Sequence, residues 1–235
     1  MEFNKIQSFL SAQRIDRYYV ATGNSMSKAL RLYKANLKIA QSFHPLLGIL
    51  EVILRNRINT ILTVHFEDSD WIINQKNGFM NDSSLRHHDR RTNRIVINDY
   101  LKSSVEKSEK RMRKLRIPIS SGKIIADQSL GFWTDLFEVH HYRLLQGRPI
   151  QIFNHIPAGH GRSDVTARLN KIRQFRNRIN HNEPICFNGN SIDFLYVEEI
   201  YNSIIEILSW IDPDLVNWIT DVDSVNIKIT NAKKI

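Results

Sequence analysis

Hydrophobic residues recur along most of the chain at the three- and four-residue intervals of an amphipathic α-helix. The most apolar stretch, LLGILEVILRNRINTILTVHF, predicts a core helix from Pro45 to about Phe66. Asp164 is expected to cap a later helix that reaches about His181. The remaining periodic stretches predict helices at about 2–20, 25–43, 85–115, 129–145, 193–210 and 213–219. The predicted fold class is therefore all-α.

Two segments do not follow this periodicity. The sequence CFNGNSIDF, which follows Pro184, contains turn residues centred on Asn188–Asn190 and predicts one small hairpin. The tail from 223 to 235 is expected to be frayed or to form an edge strand.

The length of 235 residues suits a single domain, here 1–235. Its expected parts are N-terminal helices over 1–66, a basic helix over 85–116 and C-terminal helices over 129–220. With 42% hydrophobic and 24% charged residues, the chain has the composition of a globular protein with a substantial core.

Composition also limits the cellular setting. No uninterrupted apolar run approaches the roughly 20 residues of a bilayer-spanning helix, and charges interrupt the N-terminal pattern. We therefore expect neither a membrane partner nor a secretory signal. The single cysteine, Cys186, cannot form an internal disulfide, which fits a reducing cytoplasmic location.

The net charge of +9 is concentrated in one segment. Between Arg86 and Arg116, eleven Lys or Arg residues accompany four Asp or Glu residues, so the segment carries 11 − 4 = +7. A solvated helix face is one explanation, and binding to nucleic-acid phosphates is the other. The residues expected to contact such phosphates are Arg86, Arg90, Arg91, Arg94, Lys107, Lys110, Arg111 and Lys114.

Several common catalytic patterns are missing from the sequence. It contains no Gly-rich phosphate loop, no paired-cysteine metal pattern and no G-x-S-x-G motif. The adjacent pairs His87–His88 and His140–His141 make poor joint ligands, because neighbouring helical residues point about 100° apart. No metal and no cofactor are expected.

The pentapeptide RNRIN occurs twice, at 55–59 and at 176–180. Only the second copy is followed by a histidine, His181, which lies three residues before Pro184. The imidazole is therefore expected at or just beyond an exposed helix end. The simplest explanation is that His and Arg side chains offset the helix dipole there.

A catalytic explanation places a geometric demand on this helix. Asn177 and His181 share one face, as do Arg176 and Asn180, whereas Arg176 and His181 lie about 140° apart. For both to serve one phosphate, the helix end must unwind, or the arginine must reach around. A third possibility is that two copies of the helix meet across a symmetric dimer.

Three sequence blocks resemble one known family. The segment RLNKIRQFRNRINHNEPI resembles the signature of the Abi-like (abortive infection) proteins of the HEPN superfamily. LEVILRNRIN at 50–59 and SLGFWTDLF at 129–137 resemble two further blocks of that family, in the same order. The resemblance implies a HEPN-type helical bundle with additional helices, acting as a metal-independent endoribonuclease and as a homodimer with a composite site.

The resemblance also assigns residues. Arg176 and His181 match the catalytic pair, and Asn177 matches the polar residue after the arginine. Possible support for the site would come from the residues Glu51, Arg55, Asn56 and Asn180. For Glu51 and Arg55, a structural i, i+4 ion pair is slightly favoured over a role in the site. Phe132 and Trp133 are expected to be core residues and not to stack on bases.

The implied chemistry needs only RNA and side chains. The 2′-hydroxyl of RNA attacks the adjacent phosphate, His181 serves as acid or base, and Arg176 holds the phosphate. The products would be a 2′,3′-cyclic phosphate and a 5′-hydroxyl. We expect an inhibitor, either an antitoxin protein or RNA, for such an enzyme, whose role would be phage defence or a general toxin–antitoxin function. The alternative is a non-catalytic RNA-binding or nucleotide-sensing HEPN module in a defence complex.

Overall fold

The computed structural model describes residues 3–89 and 91–235. Within these ranges the chain is mostly helical, which confirms the all-α class. The helices are α1 (Phe3–Leu10), α2 (Ala12–Ala21), α3 (Met26–Phe66), α4 (Trp71–Asn74), α5 (Tyr100–Lys114), α6 (Ser121–Asp127), α7 (Leu130–Asp135), α8 (Val139–Leu144), α9 (Arg162–Asn180), α10 (Leu195–Ile211), α11 (Asp214–Trp218) and α12 (Val225–Ala232). Strands β1 (Arg86–Asp89) and β2 (Arg94–Ile97) form one antiparallel hairpin, and β3 (Phe187–Asn188) and β4 (Ser191–Ile192) form another.

Helix α3 corrects the predicted boundary at Pro45. The two helices expected at 25–43 and 45–66 form one continuous helix of 41 residues, with Pro45 inside it. A proline in a helix interior costs about 3 kcal/mol. Phe43, Leu46 and Leu47 are all buried around the proline, and each fully buried side chain of this size contributes about 1.5–3 kcal/mol. Core packing therefore offsets the missing hydrogen bond.

By length and composition alone, α3 could cross a bilayer, contrary to the expectation that no stretch is long enough. The expectation counted only uninterrupted apolar runs, whereas a helix averages hydropathy along its whole length. The apolar face of α3 is buried against α2, α7, α10 and α12, as in the core helix of a globular domain.

The basic segment is helical only in its second half, so the predicted helix over 85–115 is wrong for 86–89 and 91–97. The β-branched side chains of Ile95, Val96 and Ile97 favour a strand. Asn93 adopts the left-handed φ of 53° in the turn before β2, where asparagine is well tolerated. Helix α5 then carries the remaining basic residues.

Other predicted boundaries also shift. The first helix is interrupted at Ser11, which has φ 69°, and the helix expected over 129–145 is split into α7 and α8. Asp164 is not the N-cap of α9 but its third residue, and its carboxylate accepts a hydrogen bond from the Gly161 backbone N–H at 3.0 Å.

The tail is neither frayed nor a strand. Helix α12 packs against α3 through Val225, Ile229 and Ala232, which follow the helical i, i+4, i+7 spacing. The hairpin predicted around Asn188–Asn190 is confirmed, as are α10 and α11, with the ends shifted by one or two residues.

The three sequence blocks meet in the core around α9. Helix α7, which carries Phe132 and Trp133, packs against both α3 and α9, and both aromatic side chains are fully buried, as predicted. The Phe137 carbonyl accepts a hydrogen bond from Arg162 at 2.9 Å. On α9 itself, the buried residues are Val165, Leu169, Ile172, Phe175 and Ile179.

Candidate functional site

An ion pair joins α9 to α3 at the predicted site. Nη2 of Arg176 lies 2.9 Å from Oε2 of Glu51, and the side chains are 30% and 16% exposed. The expected pair between Glu51 and Arg55 does not occur among the described residues, because packing of α9 beside α3 turns the carboxylate toward Arg176 instead. Glu51, from the segment LEVILRNRIN at 50–59, therefore positions Arg176, the first residue of the second RNRIN copy.

The imidazole of His181 lies at the exposed end of α9. The helix ends at Asn180, and the backbone N–H of His181 donates to the Asn177 carbonyl at 3.0 Å. Asn182 follows with a left-handed φ of 52°, which turns the chain away from the helix axis. The predicted exposure of His181 at the helix end is confirmed.

Three side chains hold the segment that follows His181. Arg14 donates to the Asn182 carbonyl at 2.9 Å, and Arg178 donates to the Pro184 carbonyl at 2.6 Å. The buried amide oxygen of Asn36 accepts from the backbone N–H of residue 185 at 2.8 Å. The backbone around the imidazole is therefore fixed from α2, α3 and α9.

Sequence reasoning missed Arg14 and Asn36. Asn36 leaves a signal, because it is a polar residue within the apolar stripe formed by Leu32, Ile39 and Phe43. Buried amides need a hydrogen-bond partner, so such a position indicates a tertiary contact. Arg14 leaves no comparable signal, since its partner lies 168 residues away.

On an ideal helix, the positions of Arg176 and His181 lie about 140° apart, and His181 is the first residue beyond α9. The helical hydrogen bond from His181 to Asn177 excludes unwinding before the histidine. The guanidinium is directed to Glu51 and does not reach around the helix. In the part of the chain that the structure describes, no hydrogen bond joins the two side chains.

The other predicted site residues divide between two places. Asn177 and Asn180 are exposed along α9, and Arg55 is half-buried one turn after Glu51. Asn56 follows Glu51 by five residues and so points about 140° away from it. It lines a separate cleft of about 390 Å³ together with residues that include Asn154 and Asp212.

The first RNRIN copy also has a structural role. Its Asn59 accepts a hydrogen bond from the indole of the buried Trp71 at 2.9 Å. The equivalent residue of the second copy, Asn180, is exposed. Ile58 and Ile179, the fourth residues of the two copies, are both buried. The two copies therefore share one buried position, but their polar residues make different contacts.

The predicted phosphate-binding residues lie on the first hairpin and on α5. All of those described are exposed: Arg86, Arg91, Arg94, Lys107, Lys110, Arg111 and Lys114. Arg90 lies outside the described residues. Part of the charge on α5 is neutralised locally, because Arg111 pairs with Asp127 at 3.1 Å and Arg113 with Glu109 at 3.1 Å.

The α5 end of this surface approaches α9. The Tyr100 hydroxyl lies 3.4 Å from the hydroxyl of Ser129, which precedes α7. A Cβ at Gly131 would meet the Tyr100 hydroxyl and the side chain of Arg173, so glycine permits this close approach. Arg173 is one turn before Arg176 on α9, which links the basic surface to the candidate site.

Metal-ligating residue types do not cluster in the ranges that the structure covers: no group of three His, Cys, Asp or Glu side chains could hold one ion. His141 is fully buried, and its Nδ1 lies 3.0 Å from the Asp135 carboxylate.

Comparison of the chain with protein-family models, with curated proteins and with solved structures finds no match. Membership of the Abi-like HEPN proteins is therefore a hypothesis that rests on the three sequence blocks.

Proposed function

We propose that this protein is a metal-independent endoribonuclease of the HEPN, abortive-infection type. The observation that carries the proposal is an ion pair and a histidine on one helix. Glu51 holds the guanidinium of Arg176 on α9, and His181 lies at the exposed end of the same helix. An oriented guanidinium can stabilise charge on a phosphodiester and an accessible imidazole can transfer a proton, and metal-free cleavage of RNA uses both roles.

The proposed reaction uses the nucleophile that RNA carries. The 2′-oxygen forms a bond to phosphorus while a base removes its proton, and the bond from phosphorus to the 5′-oxygen breaks as that oxygen gains a proton. His181 serves as the base or the acid, since imidazole titrates near neutral pH. The products are a 2′,3′-cyclic phosphate and a 5′-hydroxyl.

Arg176 stabilises the charge that builds on the phosphate. A guanidinium has five N–H donors, so the ion pair through Nη2 leaves donors for a phosphate. Glu51 fixes the orientation of the group, which reduces the entropy lost when substrate binds. Asn177, on the same face as His181, positions the 2′-hydroxyl or orients the imidazole.

The separation of the two side chains supports a site built across a homodimer. Because Arg176 and His181 point about 140° apart on one helix, a partner helix in symmetric contact would bring an arginine and a histidine together. The exposed basic residues of the first hairpin and α5 would contact the RNA backbone without selecting sequence. An inhibitor, protein or RNA, would restrain the enzyme in the cytoplasm.

One observation favours a second candidate, a non-catalytic RNA-binding or nucleotide-sensing module. Glu51 neutralises Arg176, and no hydrogen bond joins that arginine to His181 among the described residues.

The chemistry of the cleaved ends separates the two candidates. Labelled RNA is incubated with the purified protein in EDTA, and the new 3′ ends are then treated with acid and phosphatase. The nuclease predicts ends that resist phosphatase until acid opens the cyclic phosphate. RNA that binds but stays intact would support the non-catalytic module.

A further inference from the structure

A basic groove lies between the N-terminal half of α3 and the C-terminal helix α12. Its volume is about 290 Å³, and its lining combines apolar and basic side chains. The residues that line it are Arg31, Lys34, Ala35, Lys38, Lys228, Asn231, Ala232 and Ile235. Four of these eight residues have cationic side chains, and none has an acidic side chain.

The four cationic side chains of this groove have no protein partners in the part of the chain that the structure describes. Among the described residues, none of the four side chains makes an ion pair or a hydrogen bond. A second cleft, between α9 and α10, shows the contrast: there Arg168 pairs with Glu206 at 2.5 Å and Lys171 with Glu199 at 3.7 Å. The four cationic side chains at the α12 groove are therefore unpaired within the described ranges, whereas the cleft between α9 and α10 pairs its two cations with two carboxylates.

The helix holds these charges close together. Arg31, Lys34 and Lys38 follow i, i+3, i+7 spacing, so they project from one face of α3 within two turns. Lys228 faces them from α12, and Asn231 adds an amide that can donate to an oxygen. Like charges at this spacing repel one another, and a multiply charged anion relieves that repulsion.

We propose that this groove binds phosphate groups of an RNA strand and forms a second RNA-contacting surface, separate from the first hairpin and α5. The identity of the ligand as RNA rests on the proposed function. Lys38 precedes Glu51 by 13 residues on the same helix, which is about 20 Å at 1.5 Å per residue. Thirteen residues at about 100° each also place the two side chains about 140° apart around α3, so a strand bound in the groove has to pass around the helix to reach Arg176.

The test measures RNA affinity as a function of salt concentration. Every protein carries the substitution His181→Ala, and the buffer contains EDTA, so that the RNA stays intact. Lys34→Gln/Lys38→Gln is compared with Lys171→Gln/Lys233→Gln. Both pairs remove two exposed lysine charges, but the control lysines are already paired with glutamates. Glutamine and lysine have similar helix propensities, and equal melting midpoints verify that each protein is folded.

The groove variant is expected to reduce the slope of log K against log salt by about 1.4, because each single-strand phosphate contact contributes about 0.7. The control variant is expected to keep the parental slope. Equal slopes in the two variants would overturn the proposal that the groove binds RNA phosphates. Loss of nucleoside triphosphate binding in the groove variant, with an unchanged RNA slope, would also overturn it and assign a nucleotide instead.

These results are independent of catalysis. If the groove variant lowers the salt slope but the wild-type protein leaves RNA intact, RNA binding by the groove is supported and the nuclease function is contradicted. If cleavage depends on His181 but the groove variant keeps the parental salt slope, the nuclease function is supported and RNA binding by the groove is contradicted.

Discussion

Replacing Glu51 by glutamine removes the charge that pairs with Arg176 and keeps the shape of the side chain. Exposed ion pairs contribute about 0.2–1 kcal/mol, and breaking a buried pair costs about 3–5 kcal/mol. With side chains 30% and 16% exposed, the pair lies between the two classes, and we expect a loss of at least about 1 kcal/mol. For a chain of this length, that lowers the melting midpoint by about 2–4 °C.

The expected effect on cleavage is larger than the effect on stability. Without the carboxylate, the Arg176 guanidinium loses its anchor, and a misplacement of about 1 Å can cost about 100-fold in rate. We expect Glu51→Gln to reduce the rate constant for cleavage by about 10- to 100-fold, which corresponds to about 1.4–2.8 kcal/mol.

A matched control separates positioning from stability. Glu206→Gln removes another carboxylate that pairs with α9, through Arg168 at 2.5 Å. The assay is single-turnover cleavage of end-labelled RNA at saturating protein in EDTA, with thermal melting of each variant. Glu206→Gln is expected to lower the melting midpoint by a similar amount and to cleave at the wild-type rate. Wild-type cleavage by Glu51→Gln, or an equal loss in both variants, would refute the positioning role.

Three further predictions concern α9 and its ends. Arg14→Gln frees the carbonyl just after His181 and is expected to lower the cleavage rate about 10-fold with unchanged RNA affinity; a matching loss of affinity would contradict this. The hydrogen bond from the Gly161 N–H lowers the pKa of Asp164 below its ordinary value of 3.8, so the ionised form stabilises the native state above that pH, and this contribution disappears as pH falls through the lowered pKa. Asp164→Asn should therefore melt below wild type near neutral pH and together with it in strong acid, and a constant difference across pH would argue against the account. Mixing inactive Arg176→Ala and His181→Ala proteins should restore cleavage if each site takes its arginine from one chain and its histidine from the other; no recovery would favour a site within one chain.

Local patterns were sufficient for the main helices and for the end of α9. The apolar stripe of α3 and the position of His181 before Pro184 both follow from neighbours along the chain, and both are confirmed. Pro45 misled the prediction because its local cost is exceeded by the burial of side chains on either side, which depends on the assembled core.

Contacts between distant segments could not be read from spacing. Glu51 has two candidate arginines, and only the packing of α9 beside α3 selects Arg176 over Arg55. The same holds for the basic groove: Lys34 and Lys38 share a face of α3 in the sequence, but Lys228 joins them only because α12 folds back onto α3.

The dependence of RNA cleavage on His181 decides whether this protein is a nuclease of the proposed type. Wild type, His181→Ala and the control His155→Ala, which replaces another exposed histidine, are compared at equal concentration with the same RNA in EDTA. The account predicts cleavage to 2′,3′-cyclic phosphate ends by wild type and His155→Ala, and loss of at least about 100-fold in His181→Ala. Intact RNA with wild type, or equal cleavage by all three proteins, would contradict it.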